Sequence, residues 1–168
     1  MRRKMQSYST HPETDALSLP LDKFSAIVPG ILFEWLITPE NCWQFRYISP
    51  RLEEMIGTVS RAELLGTGFM AMVHPKDRAR VSEGALLAYQ ENKIWSDVFR
   101  LPPQAHRPEY WLQACALPKI NQEQSVIYTG LFIDISKRMN GASAHIDIAS
   151  QQEYLFSALK QLLFQLMA

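Results

Sequence analysis

"EYWLQACALPKINQEQSVIYTGLFIDIS", residues 109–136, decides how the chain is read. Two apolar arms flank "NQEQS" (121–125), a cluster of turn-forming residues, so the stretch reads as two antiparallel strands and their connection. In a strand, successive side chains point to opposite faces. Gln113 therefore groups Trp111, Cys115 and Leu117 on one face and Tyr110, Leu112, Ala114 and Ala116 on the other. The second arm, "VIYTGLFIDIS" (126–136), continues both sets: Gly130 and Phe132 join the alanines, and Leu131 and Ile133 join Trp111.

Upstream, past the Pro-rich loop "PPQAHRP" (102–108), "IWSDVFRL" (94–101) alternates as a third strand. Arg100 sets Val98 on its own side and Phe99 and Leu101 on the other. Further back, "GILFEWLI" (30–37) and "WQFRYIS" (43–49) surround "TPENC" and form a hairpin. Glu34 marks the polar side of the first strand, so Phe33 and Trp35 point the other way, together with Phe45 and Tyr47 of the second. Between hairpin and meander the period changes to helical. "PRLEEMIG" (50–57) has Pro near its start and Gly just past its end. In "SRAELLG" (60–66), Ser60 and Glu63 have capping-box spacing and Gly66 is the stop. A longer helix spans about Pro75 to Asn92, with Val81, Ala85, Ala88 and Tyr89 on its buried stripe. Strands, then helices, then strands in meander indicate an α+β fold around one antiparallel sheet.

A chain of 168 residues, 47% apolar and 20% charged, suits one domain with a substantial core. Zero net charge gives no general attraction to nucleic acid or acidic membranes. No apolar run reaches the roughly 18 residues of a membrane span. Cys42 and Cys115 are the only cysteines and lie far apart, as expected of a reduced, cytoplasmic protein. His11, His74, His106 and His145 lack ligand spacing, so no metal site is expected. No phosphate-binding loop, nucleophile elbow or acid–base pair appears, so neither a catalytic residue nor an enzyme activity is expected.

In order and spacing, "VPGILFEW" (28–35), "YISPRLEEMIG" (47–57), "HPKDR" (74–78), "FRL" (99–101), "EYWLQA" (109–114) and "GLFIDISKR" (130–138) resemble the PAS domain, in its branch with an HPxD helix start. The resemblance covers roughly residues 24–138. It implies a PAS fold: a five-stranded antiparallel sheet with short helices on one face, used for sensing and signal relay. Flanking helices are expected at both ends, which divides the chain into a polar segment and helix (1–23), the PAS domain (24–138), and a linker with an apolar helix (139–168). It also makes "HPKDR" a helix start rather than a chemical site. Pro75 suits a first helical position, Asp77 meets the positive end of the helix dipole, and His74 caps free amides. The terminal Asp-Ile-Thr motif of the family is matched by Asp134-Ile135-Ser136, which marks Asp134 and Arg138 as signal-relay residues.

PAS-like pockets hold haem, flavin, small organic acids or nothing. The light-sensing branch needs a cysteine in a helical Asn-Cys-Arg motif, whereas "NCW" (41–43) falls in the first hairpin turn. Phe132 stands where that branch carries a flavin-contacting glutamine. Haem in this fold takes a histidine from the long helix, which has none between Lys76 and Asn92. Neither cofactor is expected.

The candidate pocket face carries Phe33, Trp35, Tyr47, Phe99, Leu101, Leu112, Ala114, Ala116, Gly130 and Phe132. Small residues beside large aromatics leave either a cavity for an apolar or aromatic ligand or room for the long helix to approach closely. The opposite face, with Trp111, Leu117 and Ile133, needs a cover: a terminal helix or a second subunit. In the C-terminal "EYLFSALKQLLFQLM", Leu155, Leu159, Leu162 and Leu166 form one seam, so a homodimer is expected. Two functional readings stand: a dimeric sensory and signal-relay module that binds a small ligand, and an interaction adaptor whose core fills itself. A downstream output domain or a partner signalling protein fits either; nucleic acid and membrane do not.

Overall fold

The computed structural model describes residue 23, residues 25–57, 60–102 and 109–140, and residue 157. Within them the chain forms β1 (Ile31–Ile37), β2 (Trp43–Ile48), α1 (Arg51–Ile56), α2 (Arg61–Thr67), α3 (Phe69–Met72), α4 (Arg78–Gln90), β3 (Trp95–Arg100), β4 (Trp111–Ile120), β5 (Val126–Asp134) and α5 (Ser136–Asn140). The sheet is five-stranded and antiparallel, in the order β2-β1-β5-β4-β3. Four helices therefore carry the chain from one sheet edge, β2, to the other, β3. β1 lies between β2 and β5 and is buried along nearly its whole length, which explains its almost unbroken apolar sequence.

Local chemistry sets the turns. Between β4 and β5, the Asn121 side-chain oxygen accepts from the amides of Glu123 and Ser125, an Asx turn that reverses the chain. α1 ends at Gly57, whose φ of 67° lies in the left-handed region and whose amide donates to the Glu53 carbonyl. At Gly68 φ is 85°, and an added Cβ would collide with the Trp43 carbonyl, so only glycine fits between α2 and α3.

Several expectations about the helices need correcting. α2 runs past Gly66 and stops at Gly68. Ser60 makes no side-chain cap bond; instead the Glu53 carboxylate reaches across from α1 to accept from the Arg61 amide. The long helix begins at Arg78 rather than Pro75, because residues 75–77 form a separate turn closed by the Asp77 amide on the His74 carbonyl. β5 stops at Asp134, and residues 136–140, read as the end of a strand and the start of a polar linker, form α5. Of the N-terminal helix, read as running from Pro20 to a stop at Pro29-Gly30, residues 23 and 25–28 are described: 23 and 25 are helical, and the chain has already left the helix for turns and bends at 26–28. The C-terminal seam of Leu155, Leu159, Leu162 and Leu166 lies outside them.

Candidate functional site

Pairing across the sheet puts Phe33 opposite Gly130, Gly130 opposite Ala116, and Ala116 opposite Trp95. This row runs large, small, small, large. A Cβ on Gly130 would run into the Cys115 carbonyl and the Ala116 methyl, so the strands approach as closely as they do only because the residue is glycine. Over this floor stands a contiguous set of rings. Phe33 and Phe132 stack at 4.0 Å, Trp35 meets Phe69 edge-on at 3.9 Å, and Trp35 and Trp95 stack at 5.3 Å. Phe69 also lies 5.8 Å from Phe99 and 5.9 Å from Phe132. Phe33, Trp35, Phe99, Leu112, Ala114, Ala116 and Phe132 are fully buried in this core, with Leu101 nearly so.

Tyr47 is the exception among the candidate pocket residues. A β-bulge between Glu34 and Trp35 pairs Trp35 with Phe45 but Glu34 with Tyr47, leaving Arg46 as an extra residue. The inserted residue breaks strict alternation, so Tyr47 turns to the other face, where it packs with Leu32, Cys115 and Leu131. Three core aromatics were missed by the sequence reading. Trp95 and Tyr128 share the parity of Phe99 and Phe132 and were legible by alternation. Phe69 sits on a four-residue helix, too short to carry a period. Two polar features interrupt this apolar core. The Tyr128 hydroxyl donates to the Ala85 carbonyl of α4 at 2.7 Å, and burial pushes its ionisation well above the ordinary phenol range. The indole nitrogens of Trp35 and Trp95 are buried with no hydrogen-bond acceptor among the described residues.

The outer face is smaller and more polar. Leu32, Tyr47, Cys115 and Leu131 pack with Val28, Ile94, Leu117 and Ile133, while Trp111 lies at its border beneath the Arg100 guanidinium, 5.5 Å from the ring centroid. Glu34 is buried beside them, 3.3 Å from Arg46 and 3.4 Å from the Thr129 hydroxyl. Burial raises its carboxyl above the usual range, and Arg46 only partly offsets this. Cys115 is likewise pushed up to about 12 by burial, which leaves it an unreactive thiol. Cys42 is exposed in the β1–β2 turn. Neither thiol faces the aromatic core, so the residues present do not fit a flavin–cysteine photoadduct.

"HPKDR" resolves into structural bonds. His74 Nδ1 accepts from the Lys76 amide at 3.1 Å. Asp77 does not cap its own helix; its carboxylate crosses to β3 and accepts from the Arg100 amide, Nε and Nη2 at 2.9, 3.0 and 2.7 Å. These bonds hold the Asp77 carboxyl at about 2, below its usual range.

A second node gathers where the sheet ends. The Trp111 amide donates to Ser136 Oγ at 2.9 Å, and the Ile135 amide donates to the Trp111 carbonyl at 3.0 Å. Asp134 Oδ1 accepts from the Ser136 amide at 2.9 Å, capping α5. The Tyr110 hydroxyl lies 2.8 Å from Asp134 Oδ2 and 2.8 Å from the Met55 carbonyl of α1. Of the two relay candidates, Asp134 is thus central to the node, while Arg138 sits on α5 with its amide donating to the Ile135 carbonyl.

Among solved structures, the chain is similar to that of the protein RsLOV, with a TM-score of 0.56 at 12% identity over 94% of this chain and 84% of that one. It is also similar to a light-oxygen-voltage domain solved in work on a flavin analogue, with a TM-score of 0.53 at 16% identity, covering 74% and 90% of the two chains. An N-terminal domain of a diguanylate cyclase with PAS/PAC sensor from Marinobacter aquaeolei aligns with a TM-score of 0.47 at 18% identity, covering 64% and 98%. No family model and no curated protein matches the sequence. With the element order, the sheet topology and the first two likenesses together, the chain has the PAS fold, as the sequence motifs implied.

Proposed function

We propose that the chain is a non-enzymatic sensory and signal-relay module whose core is filled by its own side chains. The observation that carries this is the aromatic set on the inner face. Rings from β1, β2, α3, β3 and β5 contact one another on the same face as the small residues Ala114, Ala116 and Gly130. A core of this kind transmits displacement well, because close-packed interiors shift as units rather than deform continuously. The node at Asp134 ties that core to the segment leaving the sheet.

A second reading, in which a small apolar or aromatic ligand binds, is favoured by one observation. The two unpartnered indole N–H groups of Trp35 and Trp95 are donors that an acceptor on a ligand would satisfy. Native mass spectrometry of freshly purified protein separates the readings. The self-filled core expects the bare chain mass, and a stoichiometric adduct would replace it with the ligand-bound module. No haem or flavin absorption is expected in either case.

The module is proposed to work as a cytoplasmic homodimer joined through the outer sheet face and the Leu155, Leu159, Leu162 and Leu166 seam, relaying to an output domain or partner protein. Burying each leucine contributes roughly 1.5–3 kcal/mol, enough for four to hold a terminal helix in place. Light scattering should give a dimer for the wild type and a monomer for Leu159→Asp with Leu162→Asp. A monodisperse wild-type monomer at micromolar concentration would end the dimer proposal.

A further inference from the structure

The Tyr110 hydroxyl has one hydrogen and, among the described residues, two acceptors within hydrogen-bond distance. The Met55 carbonyl and Asp134 Oδ2 each lie 2.8 Å from it. A carbonyl is only an acceptor, and so is an ionised carboxylate, whereas a phenol donates once. A full bond to both at once is therefore impossible. The other carboxylate oxygen, Oδ1, is already taken by the Ser136 amide, so Oδ2 is the one that turns to Tyr110. Met55 lies in the last turn of α1, where a helix runs out of its own amides to satisfy its carbonyls.

We propose that Tyr110 is a two-position latch between α1 and the exit of the sheet. With α1 seated, the phenol hydrogen is divided between Met55 and Asp134. When α1 moves away, the hydrogen passes wholly to Asp134, strengthens the cap on α5, and so registers the position of α1 at the segment leaving the domain. The proposal deepens the relay reading and rests on it: Tyr110 is the residue through which a change on the helical side reaches Asp134.

Hydrogen exchange of the full chain, read by mass spectrometry over residues 51–57 and 134–140, tests the latch. Tyr110→Phe removes the hydrogen and should speed exchange in both segments, by roughly 1.5- to threefold in each, for the loss of one bond divided between them. Asp134→Asn is the decisive variant. Its side-chain oxygen still accepts from Ser136, while its new N–H donates to Tyr110, whose hydrogen then belongs to Met55 alone. Exchange over 51–57 should slow, an outcome that simple packing support does not produce. Unchanged or faster exchange there in Asp134→Asn, or an effect of Tyr110→Phe confined to one segment, overturns the latch. Because the signal arises within one chain, a monomeric wild type would end the dimer proposal and leave this result standing.

Discussion

The inner face of the sheet is held by rings against rings over a floor of glycine and alanine, the outer face by four buried apolar residues around a buried carboxylate. On the first, shape decides: the strands leave no room for a Cβ at Gly130, and aromatic rings pack against one another over them. On the second, charge enters as well, since Glu34 is buried and Arg46 and the Thr129 hydroxyl only partly offset its desolvation. The contrast teaches that one sheet can be intolerant of added volume on one side and tunable by protonation on the other.

The sharpest way to break this contrast is Gly130→Ala. The added methyl has no space against Cys115 and Ala116, so a loss of about 3 kcal/mol is expected in urea unfolding. A loss below 1 kcal/mol would mean that the floor is not tight.

Next in size is Asp77→Asn, which removes the carboxylate that joins α4 to β3. The Asp77 carboxyl is held at about 2, chiefly by its bonds from Arg100, against an ordinary value of 3.8. Its folded pKa is depressed, so the stabilisation is complete above about pH 4 and is lost as pH falls towards 2. It amounts to roughly 2 kcal/mol. The wild type should lose this increment on acidification and the variant should not, as followed by denaturation midpoints from pH 7 to pH 2.

Tyr128→Phe should cost about 1 kcal/mol through loss of the buried bond to Ala85, with the ring packing retained. The smallest effect, and the one that most sharpens the comparison, is Glu34→Gln. Burial raises the Glu34 pKa, so the folded state favours its neutral form, and ionisation on raising pH costs stability. The sign is opposite to that of Asp77. The variant should match or slightly exceed the wild-type melting temperature at pH 7, and a clear fall would show that the Arg46 pair outweighs desolvation.

Much of this was legible in the residues. Alternation in β4 and β5 placed Leu112, Ala114, Ala116, Gly130 and Phe132 on one face, and the Pro and Gly signals bounded α1. Tyr47 was misplaced because a bulge inserts one residue without a mark in composition; Arg46 looks like any alternating polar position. The start of α4 was misplaced because Pro75 is a good helix start in isolation, whereas the Asp77 carboxylate is drawn to Arg100, 23 residues away. Phe69 was missed because three short helices follow one another with too few turns to reveal a face. For Tyr47 and for the start of α4, the deciding partner lies far along the chain.

The reach of Asp77 from the start of α4 to β3, joined there by Arg80 of the same helix, also bears on how copies of the molecule can meet. β3 is an edge strand, and open edges invite strand-to-strand aggregation. Here the Val98 amide donates to the Asp97 carboxylate and the Val98 carbonyl accepts from Arg80, while the Arg100 amide donates to Asp77 and the Arg100 carbonyl accepts from the His74 amide. Both residues have their main-chain groups occupied from within the chain. An incoming strand finds no template there, and polymerisation by sheet extension along this border is blocked at two of its six positions.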